Sequence, residues 1–472
     1  MPSCQCGRFF QTGAALIQHQ AAKHSLQPQQ ARPKPTSSPQ RAPAPSAPTR
    51  NTRPRDARIW KGVRVLEPIH TIDAAMLQPS TAPVSSALPS ELICSFNWQS
   101  FGGFHVPGHA PLWQDVALPI TIPRDRSTPS TGGSGWTTTK NPFEQVLQAA
   151  AVMSPDFRLD KVDIVTTRNS LRKLLDFCDG RSQQSFRVNI SLVKNTLFIE
   201  QYGTAFMAFQ STGWGHNFEK TFTRFPVGLE ASTTHDRYLH YPIGDLNCVV
   251  GFEVDACYEG SLGNDDEPAE ATEGPLERVQ AGMEQLRVSS KTEAGPSESK
   301  AKSTIASPTT SRARSDTSPP KLPFNTTPKI MPQSTAAEIK SRSKKPGGTI
   351  APYLPQLWFG RTPWLIVGSH TEGTFYHVSV TNVTAHLERW EAERQAGLRK
   401  LAALLAELRE AVREAVRGGG DGDGNGKEKE GQRCAVIYES GTERVIKVHV
   451  LGKGEVVVPD KGYLQFWGDH KI

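Results

Sequence analysis

Two thiolates and two imidazoles fall within the first 24 residues: Cys4 and Cys6, then twelve residues, His19, four residues and His24. Two soft sulfurs with two ring nitrogens satisfy tetrahedral zinc. A different chemistry is offered farther on. From Cys248 to Cys257 the residues alternate with period 2, so Val250, Phe252 and Val254 share one strand face and Glu253 and Asp255 the other. Two carboxylates held that close repel unless a proton or cation neutralises them, which makes the strand a candidate divalent-metal platform. Glu338 and Lys340 repeat the spacing. They add a third carboxylate and an ammonium able to orient a water or to stabilise charge developing on a phosphorane. Taken singly, each such pair is an ordinary solvated strand face; their value lies in combination.

Positioning these groups requires folded units separated by linkers. The 472 residues exceed the usual size of one domain. A core of 89–258 begins with a strand at Leu92 to Trp98. It continues through a helix opened by Asn141-Pro142 and closed by Pro155, and a strand at Asp163 to Thr166 running into a helix from Arg168 to Phe177. Strands follow at Phe186 to Val193 and Thr196 to Gln201. Composition then turns to Glu, Ser, Thr, Pro and Lys, so 259–333 is expected to be a disordered insertion. The core resumes over 334–472, with strands at Trp358 to Val367 and Thr374 to Val380 and a long helix over 384–417. A Gly-rich linker over 418–432 and closing strands within Ala435 to Val458 complete it. Ahead of the core, 25–88 reads as a disordered, Pro-rich basic linker.

Residues 1–24 resemble a C2H2 zinc finger, with Phe10 and Leu16 at its two core positions and a single residue between the cysteines where two to four are usual. The resemblance implies a small ββα fold and contacts to DNA or to a protein. The larger part of the chain, roughly 90 to 380, resembles the DXO-type decapping nuclease family, in a divergent fungal branch. Four blocks occur in the family's order: Asp163-Ile164-Val165-Thr166-Thr167-Arg168 with Leu174, then Gly215-His216-Asn217-Phe218-Glu219, then Glu253-Val254-Asp255, then Glu338-Ile339-Lys340. Gln356 and the apolar run Trp364 to Gly368 follow. This resemblance implies an α+β fold, a mixed β-sheet core flanked by helices and related to restriction-type nucleases. It implies metal-dependent attack on RNA 5′ ends, by decapping or 5′–3′ digestion. In that scheme Glu219, Glu253, Asp255 and Glu338 hold Mg²⁺ or Mn²⁺, Lys340 stabilises the transition state, and Arg168 and Gln356 hold the RNA. The rival reading is a catalytically silent nuclease fold that binds nucleic acid or partners through its finger and basic tether.

Composition narrows the setting. With 54 basic and 47 acidic residues the net charge is +7, which suits a polyanionic partner. No apolar run reaches membrane-spanning length, and seven scattered cysteines make no disulfide scaffold, so an intracellular place, nucleus or cytoplasm, is expected. Cys94, Cys178, Cys248 and Cys257 read as ordinary buried thiols. Leu398, Leu401, Leu405, Leu408 and Val412 form a stripe whose expected partner is the parent domain; a coiled coil, and with it the oligomeric state, is left open.

Overall fold

A computed structural model describes residues 57–63, 67–126, 143–202, 213–260, 330–343, 348–418, 433–441, 443–452 and 465–468. All belong to one compact unit, Asp56–Ile472. The zinc-ligand candidates Cys4, Cys6, His19 and His24, most of the expected linker and insertion, and 419–432 of the Gly-rich segment lie outside the described residues.

β1 (His70–Asp73) and β2 (Glu91–Gln99) are followed by three two-residue strands, β3 (Phe104–His105), β4 (Leu112–Trp113) and β5 (Ile120–Thr121), and by α1 (Glu144–Met153). β6 (Ile164–Thr167) passes straight into α2 (Arg168–Cys178), and then come β7 (Phe186–Val193) and β8 (Thr196–Gln201). α3 (Gly215–Phe222), β9 (Thr223–Arg224), β10 (Ser232–Ile243), β11 (Leu246–Glu253) and β12 (Ala256–Cys257) complete the first half. The second half holds β13 (Ala336–Arg342), α4 (Leu354–Phe359), β14 (Trp364–Thr371), β15 (Thr374–Asn382), α5 (Thr384–Gly418), β16 (Arg433–Tyr438) and β17 (Val445–Val450).

These strands form two mixed sheets. One has ten strands in the order β1-β17-β16-β7-β8-β6-β11-β10-β2-β3, the other seven in the order β5-β15-β14-β13-β12-β4-β9. Helices cover both faces of the larger sheet, as expected of an α+β core. On one face Val188, Ile190, Ile199, Val250 and Phe252 pack with α2, α4 and α5; on the other Phe96, Val165, Phe198 and Val249 pack with α1. A third cluster joins α3 to the smaller sheet through Phe218, Phe222, Ile339, Ile366 and Phe375. The 35-residue α5 repeats apolar residues at helical spacing, and Leu398, Leu401, Leu405, Leu408 and Val412 are all fully buried. The stripe therefore packs on its parent domain.

Four boundaries differ from the sequence reading. The expected linker of 25–88 contains β1, and Ile72, Ala74, Leu77 and Val84 are buried in the core, so apolar residues spaced too irregularly to show a period still pack. The expected insertion of 259–333 ends early: Met331 is buried and its carbonyl accepts from Arg237 Nη1 at 2.9 Å. The apolar run from Trp358 is first helical and becomes a strand only at Trp364, because Pro355 suits the first turn of a helix and short apolar runs carry no period. Finally, Cys248 to Cys257 is two strands: β11 ends at Glu253 in the larger sheet and β12 begins at Ala256 in the smaller one.

Candidate active site

The break between β11 and β12 brings the two sheets together at the acidic residues. Glu253 closes β11, and Asp255 sits in the crossing, where its Oδ2 accepts the Ile339 backbone N–H of β13 at 2.8 Å. That hydrogen bond ties the crossing to the strand bearing Glu338 and Lys340. Arg168 is placed from the other side by the β6–α2 junction, where the Thr167 hydroxyl caps α2 by accepting the Ser170 N–H at 3.4 Å. Glu219 lies one turn into α3, whose first N–H groups are received by the Asp125 carboxylate, from Asn217 at 2.9 Å and from His216 at 3.2 Å.

Glu338 is the hub. It is 2% exposed, and Arg168, itself buried, donates from Nη1 to its Oε2 at 3.1 Å. Lys340 Nζ and Gln356 Nε2 both donate to Oε1. Lys340 also lies 3.8 Å from Asp255 Oδ2, and Arg172, one turn beyond Arg168 on α2, donates to Gln356 Oε1 at 3.2 Å. The guanidinium of Arg168 rests over the Phe252 ring at 5.6 Å. Arg168 and Gln356, which the family resemblance assigns to RNA, thus stand as direct partners of Glu338. Arg168, Asp255, Glu338, Lys340 and Gln356 are joined by these contacts, while among the described residues Glu219 and Glu253 are linked to them through charge alone.

The protonation pattern follows from the crowding. Burial pushes the Glu338 carboxyl up, but the Lys340 and Arg168 charges outweigh it and bring it down to about 2. Asp255 goes the other way, to about 8, through burial and then the charge of Glu338, with Lys340 opposing. Glu219 is likewise raised well above the usual range by burial and by Asp255. Glu253 touches solvent yet is surrounded by protein mass; that desolvation, then Asp236 and Glu219, lifts it to about 8, and its water contact discounts the cost of ionising it. Lys340 is raised: burial opposes its charge, but Glu338 and Asp255 more than compensate.

Three participants were not singled out from the sequence. Asp236 on β10 pairs in register with Glu253, is 7% exposed, and is raised to about 7 by burial, with Trp98 and Arg168 pulling the other way. Asp125 fixes α3 from a loop. Only Arg172, four residues after Arg168, follows from helical spacing.

Among the described residues no group of three or more His, Cys, Asp and Glu side chains stands at metal-ligating spacing. The donor chemistry nonetheless fits a hard divalent cation, since burial and mutual charge raise the carboxyls of Glu219, Glu253 and Asp255, and a cation bound to their oxygens would relieve that charge.

Comparison with known proteins agrees with this architecture. A family model described as Domain of unknown function (DUF8563) matches residues 66–467. The chain belongs to this family. Its matched region opens before β1 and closes after β17, so the family comprises both sheets and every core residue of the acidic centre. Comparison with curated proteins finds no match. Among solved structures, Scheffersomyces stipitis Rai1 in complex with (3′-NADP)⁺ and calcium ion is 11% identical with a TM-score of 0.50, over 84% of this chain and 97% of that one. S. pombe Rai1 in complex with 3′-FADP is 10% identical with a TM-score of 0.47, over 81% and 99%. K. lactis Dxo1 in complex with manganese is 6% identical with a TM-score of 0.44, over 81% and 96%. The shared property is the fold.

The described cysteines, Cys94, Cys178, Cys248, Cys257 and Cys434, are free and buried, and burial pushes each thiol up, Cys434 to about 12. None is poised as a nucleophile. No helix among the described residues is long and apolar enough to cross a membrane.

Proposed function

We propose that this protein hydrolyses the 5′ ends of RNA in a divalent-metal-dependent reaction, by decapping, by 5′–3′ exonucleolytic digestion, or both. The observation that carries the reading is Glu338, buried between Arg168, Lys340 and Gln356, with Asp255 at the same lysine. Glu219, Glu253, Asp255 and Glu338 would hold one or two Mg²⁺ or Mn²⁺ ions. Such ions, when bound, polarise a phosphoryl oxygen and lower the pKa of a bound water. Lys340 offsets charge gathering on the attacked phosphate, and Arg168 keeps its guanidinium beside the same centre. Gln356, held by Arg172, orients Glu338 and offers its amide to RNA. The fold shared with S. stipitis Rai1, solved in complex with (3′-NADP)⁺ and calcium ion, supports a nucleotide ligand and a divalent cation.

The test is release of product from 5′-capped and 5′-triphosphorylated RNA by the full-length protein. Mn²⁺ or Mg²⁺ should support turnover, and Glu338→Ala and Asp255→Ala should abolish it while the variants still unfold cooperatively. Absence of both divalent binding and turnover in the folded wild type would overturn the reading.

One observation favours a second reading. Both Glu338 oxygens are already engaged by side chains of the protein, an arrangement that neutralises the charge without a metal. In that case the fold is silent and nucleic acid, DNA or RNA, or a protein partner is met through the N-terminal region. In either case Cys4, Cys6, His19 and His24 are assigned to one zinc ion, which metal analysis of wild type and Cys6→Ala tests. The nucleus or cytoplasm is the corresponding location, checked by imaging a tagged chain.

A further inference from the structure

The smaller sheet ends on a strand that lacks an outer neighbour over most of its length. β5 is outermost but holds two residues and meets only the start of β15, with Thr121 opposite Thr374 and Ile120 opposite Phe375. Continued pairing would set Pro119 against the next residue, and proline has no N–H to give a ladder. From His377 to Asn382, among the described residues, the backbone of β15 pairs with β14 alone. In an antiparallel strand every second residue then turns its N–H and C=O outward.

A strand edge of this kind is a template for another strand, and the remaining edges are kept brief: β1 has four residues, β3 and β9 two each. His377 to Asn382 is as long as an ordinary strand and contains no Lys, Arg, Asp, Glu or Pro, the residues that blunt an edge. One of its faces is apolar. Val378 and Val380 stand opposite Gly368 and Ile366 of β14, on the side of the sheet that carries Phe218 of α3, whose ring leaves no space for a Cβ at Gly368. Both valines are half-buried and pack on the cluster of Phe218, Phe222, Ile339 and Ile366, so that cluster reaches the margin of the sheet with part of its surface wet. Tyr376, at the register shift that opens this stretch, is 61% exposed.

Charge indicates the occupant. At a net +7, copies of the chain repel one another at a distance, so they associate where no like charges are brought together. An uncharged strand meets that condition, because in a two-fold contact the residue on the axis faces itself. A two-fold through Ser379 sets Val378 against Val380 and His377 against Thr381, each twice. It also joins the two apolar clusters along one continuous sheet.

We propose that two copies of this protein associate by antiparallel pairing of β15 with β15 about a two-fold axis at Ser379. The proposal is independent of the hydrolase reading. Six residues a side fall short of the roughly 20–30 of a stable interface, so the dimer is weak, with a Kd of about 1–100 μM.

Sedimentation equilibrium of the full-length protein from about 1 to 300 μM brackets that range, with hydrogen exchange read at both ends. A monomer–dimer equilibrium is expected, with protection of the 377–382 amides that grows with concentration. Ser379→Lys and Ser379→Glu should each weaken the dimer about tenfold by placing like charges at the axis, and an equimolar mixture of the two should restore it. His377→Lys, at an exposed position, blunts the edge and should weaken the dimer in the same direction; it carries the test if a Ser379 variant does not unfold cooperatively. A wild type that stays monomeric overturns the proposal, as does a dimer that none of the folded variants weakens. Protection equally strong at the lowest concentration also overturns it, because the chain's own residues then cover the edge. Folded Ser379 variants that dissociate singly and fail to pair when mixed overturn the two-fold at Ser379.

Discussion

Arg168→Met tests the electrostatics of the centre directly. The Glu338 side chain is 2% exposed and that of Arg168 7%, so the substitution leaves a buried carboxylate with one cation instead of two. Breaking a buried pair costs about 3–5 kcal/mol, and because Lys340 and Gln356 remain on Oε1 the lower end applies. Against burial, Lys340 first and Arg168 second bring the Glu338 carboxyl down to about 2, so Arg168 supplies only part of that depression and a loss of about 3 kcal/mol is expected. For a unit of about 300 ordered residues, with an unfolding entropy near 0.6 kcal/mol per kelvin, that lowers Tm by roughly 5 °C. Chemical denaturation of wild type, Arg168→Met, Glu338→Gln and the double variant at pH 7 closes a thermodynamic cycle. A coupling of about 1.5 kcal/mol or more is expected. Because Glu338 has a lowered pKa, the coupling should be complete above about pH 4.5 and vanish as pH falls through about 2. Additivity within about 0.5 kcal/mol at pH 7 would refute the buried ion pair as the organising contact.

Asp255 carries the opposite sign. Its raised carboxyl makes the folded state the better proton binder, so stability should decline as pH rises from about 4 through about 8, and Asp255→Asn should flatten part of that decline in denaturant melts. Leu405→Ala, at a fully buried position of α5, should cost about 2–5 kcal/mol of unfolding free energy; a stripe that served only self-association would instead change sedimentation. Glu391 accepts from Ser86 N–H at 2.7 Å and from Trp358 Nε1 at 2.8 Å, and although burial opposes it, these bonds hold its carboxyl low. Glu391→Ala should destabilise by about 2 kcal/mol at neutral pH and progressively less as pH falls below about 4, a difference that equal losses at both pH values would contradict.

The elements that sequence patterning located are those whose apolar residues recur at strand or helix spacing or run together, as Phe186, Val188, Ile190 and Leu192 do in β7, although that strand is buried along its whole length. β7 and β8 are bounded as read, β6 passes into α2 at Arg168, and α5 spans one residue more than expected. β10 was missed for a physical reason. Its residues Ser232 to Ile243 include His235, Asp236 and Arg237, all buried but polar, so no apolar alternation marks the strand. The acidic pairs were legible as pairs, and the grouping of Glu219, Asp255 and Glu338 came from block order. What alternation could not supply is the change of sheet between Glu253 and Asp255, since a crossing is decided by which neighbours each strand finds. Asp236 entered the centre only through that pairing.

β12 and β13 are antiparallel neighbours, with Cys257 opposite Ala336, although residues 261–329 separate them along the chain. The pairing divides the centre by covalent connectivity: Arg168, Glu219, Glu253 and Asp255 precede the interval, and Glu338, Lys340 and Gln356 follow it. Neither portion alone owns a complete constellation. Two polypeptides expressed separately and broken within 261–329 would have to reassociate through this strand pair and the shared core to recreate it, so the protein lends itself to a split reporter. Any event that severs the interval converts an intramolecular arrangement into a concentration-dependent one, and dilution then becomes an off-switch.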